Sequence, residues 1–363
     1  MLIRDDSQVK AGWAVTKGRR FYNEDTIYCH MHPLPDGERE GSTSEVACLA
    51  VFDGHGGDKA SHFVRDNLFK VLLNHQDFRR LTFKAVEDAY QETDDLYLEQ
   101  DELQKNDDGC TATTAVIVGR RLVVAHVGDS RAVLGEGGTA TPLTDDHKPN
   151  RPDERNRIEN VGGTVVHAGT WRVGGVLAVS RSFGNRQLKQ WIVAHPEIRE
   201  DKLHSSTSCL VLATDGVWDV VTNQEAVEAV GRFEDAEQAA RYLAAMAYER
   251  GSYDNISCVV CLFDFKEEDD TEPAQEHVRV PGSPLRRKSA APEKAAVATA
   301  DTTIPKQSAR RSVDNLGASD GVGGNGNGNG GVNGTDDGKR QVTFAVEEGG
   351  GVSKEEAVTT AIS

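Results

Sequence analysis

The 363-residue sequence lacks an apolar run long enough to span a membrane, and its start lacks a signal-peptide pattern. No glycine follows Met1, so N-myristoylation is not indicated. The net charge is −17, which makes a nucleic-acid backbone or an anionic membrane surface a poor partner. We therefore expect no nucleic-acid partner and no membrane partner.

Cysteine is scarce, with six residues scattered mostly through apolar runs. This usage is typical of free buried thiols in a reducing compartment, not of a disulfide framework. Cys258 and Cys261 have the spacing of a metal knuckle, but residues three apart on a strand face opposite sides and no second pair exists. Zinc binding by Cys258 and Cys261 is therefore the minor alternative.

We expect a monomer located in the cytoplasm, the nucleus or both.

Several phosphate and metal motifs are also missing. No cysteine is followed six positions later by arginine, which excludes the phosphocysteine loop of tyrosine phosphatases. The Gly-x-x-x-x-Gly-Lys-Ser/Thr loop that cradles nucleotide phosphates is absent. A calcium loop aligned on Gly109 would have Gln104 first and Ala115 last, where acids are needed.

The composition changes abruptly after Phe265. The following residues are charged, then rich in Ala, Ser, Thr, Pro and Gly, and 321–334 is almost entirely Gly and Asn. Such a segment cannot bury enough apolar surface to offset its ordering entropy. The sequence therefore predicts a catalytic domain over 1–265 and a disordered low-complexity tail over 266–363.

Strand-like and helix-like segments alternate through the first 265 residues. Apolar runs predict strands at 46–52, 112–118, 121–128, 131–135, 208–214 and 256–265. Helical periodicity and caps predict helices at 58–74, 82–104, 152–160, 223–231 and 235–250. Because several strands follow one another closely, antiparallel sheets with helices packed outside are favoured over a doubly wound parallel sheet.

Carboxylates recur where the predicted strands begin or end, beside glycines or turns. Asp53, Asp129 and Asp215 each follow an apolar run, Asp219 lies four residues after Asp215, and Asp254 introduces the last strand. A single such aspartate is usually a turn residue. Several gathered together are costly unless cations compensate them, so a shared rim of Mg²⁺ or Mn²⁺ ligands is the better interpretation. Two divalent ions would ionise a water for hydrolysis without a protein nucleophile.

The stretch from Val51 to Asp58 combines a carboxylate, glycines and a histidine. Gly54 has no Cβ, so its carbonyl is free to turn towards the same ion as Asp53. His55 is the side chain there able to exchange a proton near neutral pH. The alternative interpretation is a strand end with a glycine turn and a surface histidine.

Nine ordered blocks across residues 10–265 resemble the metal-dependent serine/threonine protein phosphatases of type 2C (the PPM family). They are Arg20-Phe-Tyr-Asn-Glu24-Asp25, Phe52-Asp-Gly-His-Gly-Gly57, Gly109-Cys-Thr111-Ala, Val127-Gly-Asp-Ser-Arg131, Leu143-Thr-Asp-Asp-His-Lys-Pro149, Arg157-Ile-Glu with Gly162-Gly163, Leu177-Ala-Val-Ser-Arg-Ser-Phe-Gly184, Ala213-Thr-Asp-Gly-Val-Trp-Asp-Val220 and Tyr253-Asp-Asn-Ile-Ser257. The resemblance implies an α+β fold, a four-layer α/β/β/α sandwich of two antiparallel sheets flanked by helices.

The resemblance also implies a centre of two Mg²⁺ or Mn²⁺ ions. Asp53 would bridge both ions, with the Gly54 carbonyl on one of them and Asp215 and Asp254 completing the other. The substrates implied are phosphoproteins.

Other family positions carry secondary roles. Glu24 and Asp25 would act through metal-bound waters, and Asp129 and Asp219, with Asp215, would form the weaker third metal site that some members show. A solvated turn is the minority interpretation of the adjacent acid pair.

Two further residues would act on the phosphate. His55 would protonate the leaving seryl or threonyl oxygen, and Arg20 would bind the phosphate, because a guanidinium presents paired donors to paired oxygens. Asn185 departs from the family pattern, in which many members have Asp at that position. It lies outside the assigned ligands, so we expect activity to survive.

The variable segment that gates substrate in this family corresponds to 163–195. Its basic and aromatic residues lie beside an acidic rim, and we expect Arg186 and Lys189 to contact substrate. Elsewhere the expectations are structural. Arg131 and Arg181 should be ion-pair partners, and a core position is expected for His126.

His147, in Asp-Asp-His-Lys-Pro, should anchor a loop. In the tail, Lys339-Arg-Gln-Val-Thr-Phe344 resembles the short motif by which regulators bind type 1 protein phosphatases. Val342 and Phe344 would point the same way from an extended strand and fill paired pockets. A random match is the alternative. For the whole chain, the competing hypotheses are a pseudophosphatase that binds phosphoproteins without turnover and an interaction scaffold that acts through its tail.

Overall fold

The computed structural model describes residues 8–35, 43–80 and 83–266, together with the backbone of 342–348 and 352–358. Its strands are β1 Val9–Thr16, β2 Thr26–Pro35, β3 Thr43–Phe52, β4 Gly54–His55, β5 Gly109–Cys110, β6 Ala112–Val118, β7 Arg121–Val127, β8 Arg131–Glu136, β9 Thr139–Pro142, β10 Val165–Ala168, β11 Thr170–Val173, β12 Phe183–Gly184, β13 Glu197–Lys202, β14 Thr207–Ala213, β15 Ile256–Phe263, β16 Val342–Glu348 and β17 Val352–Val358. Its α-helices are α1 Lys59–Asn74, α2 Phe83–Gln104, α3 Pro152–Asn160, α4 Asp215–Trp218, α5 Asn223–Val230 and α6 Ala236–Glu249. None of the helices in these ranges is long and apolar enough to cross a bilayer.

Two five-stranded sheets form the centre of the molecule. The first has the strand order β13-β7-β6-β3-β2, and the second has the order β1-β15-β14-β8-β9. Every neighbouring pair within them is antiparallel. Short connections, which cannot make a parallel crossover, explain the pairing of β2 with β3, β6 with β7 and β8 with β9.

Side chains alternate between the two faces of each sheet, because successive residues on a strand point to opposite sides. In β3, Cys48 and Ala50 contact the residues of α1 and α2, whereas Leu49 and Val51 lie in the core between the sheets. The strands are therefore apolar on both faces, which explains why they read as continuous apolar runs in the sequence.

Helices cover the outer face of both sheets. The helices α1 and α2 pack on the first sheet, and α5 and α6 pack on the second. The α5 helix begins with a capping box, in which the Glu225 N–H donates to Thr222 Oγ1 (3.3 Å) and the Thr222 N–H donates to the Glu225 carboxylate (2.9 Å). The predicted four-layer α/β/β/α sandwich is confirmed.

The alternation of side chains also shows that Cys258 and Cys261 do not form a metal knuckle. Cys258 lies in the core beneath α5 and α6, and Cys261 lies between the sheets, so their thiols face opposite sides of β15. Both are free and buried. The spacing of a metal knuckle in the sequence therefore does not become a metal site.

The strands missed by the sequence analysis lie at or beside sheet edges. The β2 strand carries His30, His32 and Pro33 within its run, and β13 has the sequence Glu-Ile-Arg-Glu-Asp-Lys. An edge strand has only one paired neighbour and tolerates polar residues that protect it from aggregation. Such strands lack the apolar signal that predicts the central ones.

The antiparallel register brings several strand ends to one end of the sandwich. Thr26, at the start of β2, pairs with Phe52 at the end of β3. Ala213, at the end of β14, pairs with Cys258 near the start of β15 and with Arg131 at the start of β8. The loops that leave these strands are therefore neighbours, although they are distant in the chain.

The segment predicted to gate substrate forms a small unit of its own. The β10 and β11 strands pair as a hairpin, and Ile158, Val165, Val173 and Ile192 form its buried cluster. The α3 helix contributes Ile158 to this cluster and begins with Pro152, as predicted from the sequence.

Arg186 and Lys189 do not extend freely from this unit. Lys189 Nζ lies 2.7 Å from Asp94 Oδ2 and donates to the Ser182 carbonyl (3.2 Å). Arg186 Nε lies 3.3 Å from Asp101 Oδ2. Both aspartates belong to α2 and are 1% exposed. Each cation thus already has a buried acidic partner, and the prediction that the two cations contact substrate stays a prediction.

Part of the predicted tail has secondary structure. The β16 and β17 strands pair antiparallel, from Val342 with Val358 to Glu348 with Val352, where the sequence analysis expects a disordered segment. Most of 266–363 lies outside the described residues, and the predicted boundary stays a prediction.

We expect Lys189→Ala to lower the free energy of unfolding by about 3 kcal/mol, because the substitution leaves the buried Asp94 carboxylate without its cation. The matched control is Lys84→Ala, which removes an exposed i,i+4 partner of Asp88 and should cost less than about 1 kcal/mol. Urea unfolding of the full chain measures both. Unchanged stability of the Lys189 variant, with weaker turnover of phosphopeptide alone, would favour the original prediction of substrate contact.

Candidate active site

Three of the predicted carboxylates meet at the end of the sandwich. Asp53 follows β3, Asp129 follows β7 and Asp215 begins α4 directly after β14. Each offers a carboxylate oxygen, and these oxygens all lie within 4.8 Å of one another. Both sheets thus contribute to one acidic cluster.

Electrostatics links this cluster to the other predicted acids. Burial raises the pKa of Asp53 well above its usual range, and the charges of Asp215, Asp25, Asp129 and Asp254 raise it further. The charges of the other predicted ligands therefore influence the protonation of Asp53.

The Asp215 carboxyl behaves in the same way. Burial raises its pKa well above the usual range. The charges of Asp129, Asp254 and Asp219 raise the pKa further, whereas the charge of Lys148 lowers it. The half-buried Asp219 also has a raised pKa, mainly because of burial. The residues predicted for a third metal site thus lie on the side of the cluster that faces Lys148.

Asp25 is buried beside the cluster, at the end of the loop before β2. Its Oδ2 accepts a hydrogen bond from Thr214 Oγ1 (3.0 Å). Burial raises its pKa to about 7, against the lowering effect of the hydrogen bonds from Ser257 and Thr214. The neighbouring charges of Asp254 and Glu24 raise it as well.

Two glycines allow the loops to approach this closely. A Cβ on Gly54 would lie 2.3 Å from the Glu24 carbonyl oxygen, and a Cβ on Gly216 would lie 1.9 Å from the Asn255 carbonyl oxygen. A side chain at Gly54 would push its loop away from the Glu24 backbone, and one at Gly216 would push the start of α4 away from the loop before β15. The glycines after Asp53 and Asp215 are therefore required by close packing.

Glu24 connects loops from different parts of the fold. Its backbone N–H donates to Asn255 Oδ1 (2.9 Å), and its carbonyl accepts from Ser61 Oγ (2.6 Å). Its side-chain Oε1 accepts from the Gly57 N–H (2.7 Å). Its predicted action through metal-bound water stays a prediction.

Arg20 lies beside a predicted metal ligand. One guanidinium nitrogen lies 2.7 Å from Asp254 Oδ2, and Nε donates to the Tyr253 carbonyl (3.1 Å). The side chain remains 53% exposed. A cation that is half-exposed at the edge of an acidic cluster can bind an incoming anion such as phosphate.

His55 has a defined partner that the sequence analysis did not find. Its Nε2 lies 2.8 Å from Asn185 Oδ1, which also accepts from Ser182 Oγ (2.6 Å). Because an amide oxygen only accepts, His55 Nε2 carries the proton. Burial lowers the pKa of His55, and the Asn185 hydrogen bond raises it. Asn185 thus departs from the family pattern at a position that touches the predicted general acid.

Lys148 is a second site residue that the sequence analysis missed. Its Nζ donates to Asp129 Oδ2. Burial lowers the pKa of Lys148, but Asp129 and Asp215 raise it above the usual value. The only sequence signal is its position in Asp-Asp-His-Lys-Pro, directly after His147.

The structural expectations around the site are confirmed. His147 exchanges hydrogen bonds with Gly128 through its backbone (2.9 Å) and its Nδ1 (3.1 Å), which fixes the residue before Asp129. The buried His126 ring stacks on His147 at 4.4 Å. Arg131 pairs with Asp146 in a bidentate contact.

Arg181 pairs with the buried Glu154, as expected of a structural ion pair.

The cluster suits hard divalent cations. Its donors are all carboxylate oxygens, and oxygen is the ligand that Mg²⁺ and Mn²⁺ prefer. Lys148 and Arg20 pair with only two of the acids, Asp129 and Asp254. The mutual repulsion that remains is what bound cations would relieve.

We expect the stability of the chelator-treated protein to fall as pH rises from about 4 to 7, partly because of Asp25. Its folded pKa of about 7 exceeds the usual 3.8, so in this window the folded state retains a proton that the unfolded state has lost. Asp25→Asn should remove this part of the fall, about 1.4 kcal/mol for each unit of pKa shift.

Urea unfolding between pH 4.5 and 7.5 measures the effect. Asp66→Asn is the control, because that carboxylate is 53% exposed on α1. Identical pH dependence in the Asp25 variant and the parent protein would contradict the expectation.

Most of the two-sheet domain has known relatives. Residues 14–256 match the family model described as protein phosphatase 2C. The chain is 49% identical over 260 residues to the "Probable protein phosphatase 2C member 13, mitochondrial" of Oryza sativa subsp. japonica, which covers 72% of this chain and 70% of that protein. It is 50% identical over 262 residues to the "Probable protein phosphatase 2C 59" of Arabidopsis thaliana, covering 72% and 82% of the two chains.

A solved structure agrees. The serine-threonine phosphatase 2C from Toxoplasma gondii aligns with a TM-score of 0.61 and 26% identity, covering 70% of this chain and 94% of that one. The family match includes the strands that carry the acidic cluster, so sequence, fold and site lead to one conclusion: the chain belongs to the protein phosphatase 2C family.

Proposed function

We propose that this protein serine/threonine phosphatase hydrolyses phosphoserine and phosphothreonine with two Mg²⁺ or Mn²⁺ ions at the acidic cluster. The observation that carries the proposal is the meeting of Asp53, Asp129 and Asp215 oxygens within 4.8 Å, at the shared end of both sheets. Divalent cations at this place supply charge neutralisation and an activated water.

The ligand assignment follows the positions of the acids. Asp53 lies at the centre of the cluster and would bridge the two ions, with the Gly54 carbonyl on one and Asp215 and Asp254 on the other. Burial together with neighbouring acids raises the pKa of Asp53, which suits a carboxylate shared between cations.

The remaining acids form the outer part of the site. Glu24 and Asp25 would act through water, and Asp129 and Asp219 would hold a weaker third ion with Asp215. Support for the third site is the raised pKa of Asp219, caused mainly by burial and also by Asp129.

Two side chains would act on the phosphate itself. Arg20 would bind its oxygens, since the half-exposed guanidinium lies at the edge of the cluster. His55 would hold the proton for the leaving oxygen, and Asn185 fixes the orientation of its ring through Nε2. The transfer needs the imidazolium form of the ring, in which Nε2–H donates to Asn185 Oδ1 and Nδ1 carries the proton that passes to the leaving oxygen.

A pseudophosphatase is the less favoured alternative. The predicted ligand positions carry oxygen donors, and support for a working site comes from the meeting of Asp53, Asp129 and Asp215. Binding without turnover would need a missing or displaced ligand, and none of the assigned positions departs from the family pattern.

We expect the full chain to hydrolyse a phosphothreonine peptide with Mn²⁺ or Mg²⁺ and to lose this activity in EDTA. Asp215→Asn should lower kcat at least ~100-fold, because an amide is a poorer ligand and carries no charge. The Asp66→Asn variant should keep the parent rate. Phosphate release measures all three proteins, and undiminished turnover in chelator would overturn the metal assignment.

The tail carries a separate proposal, a docking site for a type 1 protein phosphatase. Val342 and Phe344 lie two residues apart on β16, so the strand places them on the same face. An extended segment with two aligned apolar residues suits strand addition to a partner.

We expect purified type 1 phosphatase catalytic subunit to bind the full chain, and Val342→Ala with Phe344→Ala to abolish this binding. Thr343→Ala is the matched control, since alternation places it on the opposite face of β16. Equal capture by all three proteins would show that the motif is a random match. A monomeric state and a cytoplasmic or nuclear location stay predictions, and one relative is named as mitochondrial.

A further inference from the structure

Three aromatic side chains project into solvent around Arg20. Phe21 is 93% exposed, Tyr22 is 82% exposed and Tyr253 is 80% exposed. Within the part of the chain that the structure describes, these are the three aromatic residues that are mostly exposed. Single exposed apolar residues are common on protein surfaces, but three aromatics at one place indicate an interaction surface. We name Phe21, Tyr22 and Tyr253 the aromatic rim.

The backbone beneath the aromatic rim is held firmly. Asn255 Nδ2 donates to the Tyr22 carbonyl (2.8 Å) and to the Lys17 carbonyl (3.0 Å). On the other side, Arg20 Nε donates to the Tyr253 carbonyl (3.1 Å). The exposure of these side chains therefore does not come from a loose terminus, since both loops are tied to each other.

The same contacts connect the aromatic rim to the phosphate-binding end of the site. Arg20 precedes Phe21 directly, and its guanidinium lies 2.7 Å from Asp254, the residue after Tyr253. A phosphate bound at Arg20 therefore brings the residues on either side of the phosphorylated one against the rim. This continuity with the site identifies the occupant as the substrate chain.

The chemistry of the rim decides which substrate chains fit. Aromatic side chains offer apolar surface and few hydrogen bonds, which suits aliphatic or aromatic neighbours. The Arg19 guanidinium lies 5.5 Å from the Tyr253 ring centre and supports one side of the rim.

We propose that the aromatic rim selects phosphoprotein segments with an apolar residue beside the phosphorylated serine or threonine. The inference rests on the proposed phosphatase function and adds the sequence context of its substrates. Phe21, Tyr22 and Tyr253 are specificity-determining residues in this view, and the reacting atoms are served by the acidic cluster.

The test compares two phosphothreonine peptides that differ only in the flanking residues, leucine in one and aspartate in the other. The parent protein with Mn²⁺ should favour the leucine peptide by about tenfold in kcat/KM. The double variant Phe21→Ser with Tyr22→Ser should reduce this ratio to about 1–2, mainly through a higher KM for the leucine peptide, and Tyr253→Ser should reduce it partly. The conservative variant Phe21→Leu should retain most of it.

The control is Leu103→Ser, an 87% exposed apolar residue near the end of α2, which should leave the ratio unchanged. A parent protein that treats both peptides equally, or serine variants that keep the parent ratio, overturns the inference. The same holds if sedimentation shows a dimer of the parent protein that the serine variants convert to monomers, because the aromatic rim would then be a contact between two copies of the chain. Hydrolysis of p-nitrophenyl phosphate separates the two claims, because a parent protein inactive on all three substrates contradicts the phosphatase function itself.

Discussion

The repulsion among buried carboxylates is the constraint on which the rest of this structure depends. Asp53 and Asp215 have pKa values raised well above the usual range, first by burial and then by the charges of neighbouring acids. A fold without a counter-charge would move such groups into water or protonate them. Here the packing of the two sheets holds the carboxylates together. Their mutual repulsion is relieved when cations bind, which makes cation binding favourable.

The packing of the two sheets makes this strained arrangement possible. Asp25 and Asp53 come from the first sheet, whereas Asp215 and Asp254 come from the second, so the cluster exists only when the core between the sheets is formed. Residues of that core, such as Leu49 and Leu212, are fully buried. The energy of this apolar core offsets the cost of gathering like charges. Folding and cation affinity are therefore coupled through the same interface.

Much of the site could be predicted from the sequence because its determinants are local. An apolar run followed by aspartate and glycine, as at Asp53 and Asp215, indicates a buried strand that ends at a tight approach of two loops. The partners of Lys189 and His55 could not be predicted in this way. Asp94 lies on a helix distant in the chain, and Asn185 reaches His55 from a left-handed backbone position (φ 53°). Sequence patterns show which residues belong to a helix or strand. They do not show which side chain from a distant part of the chain will contact a given lysine or histidine.

The turn before Asp25 holds a cation against the acidic cluster and two aromatic side chains in solvent. Arg20 directs its guanidinium inward to Asp254, while the adjacent Phe21 and Tyr22 face solvent. Phe21 and Tyr22 reverse the usual preference, since their apolar rings lie in water beside a half-exposed arginine. The hydrogen bonds from Asn255 to the backbone of this turn maintain the reversal. Because Asn255 follows Asp254 directly, the element that orients the predicted ligand also orients the surface that meets the substrate chain.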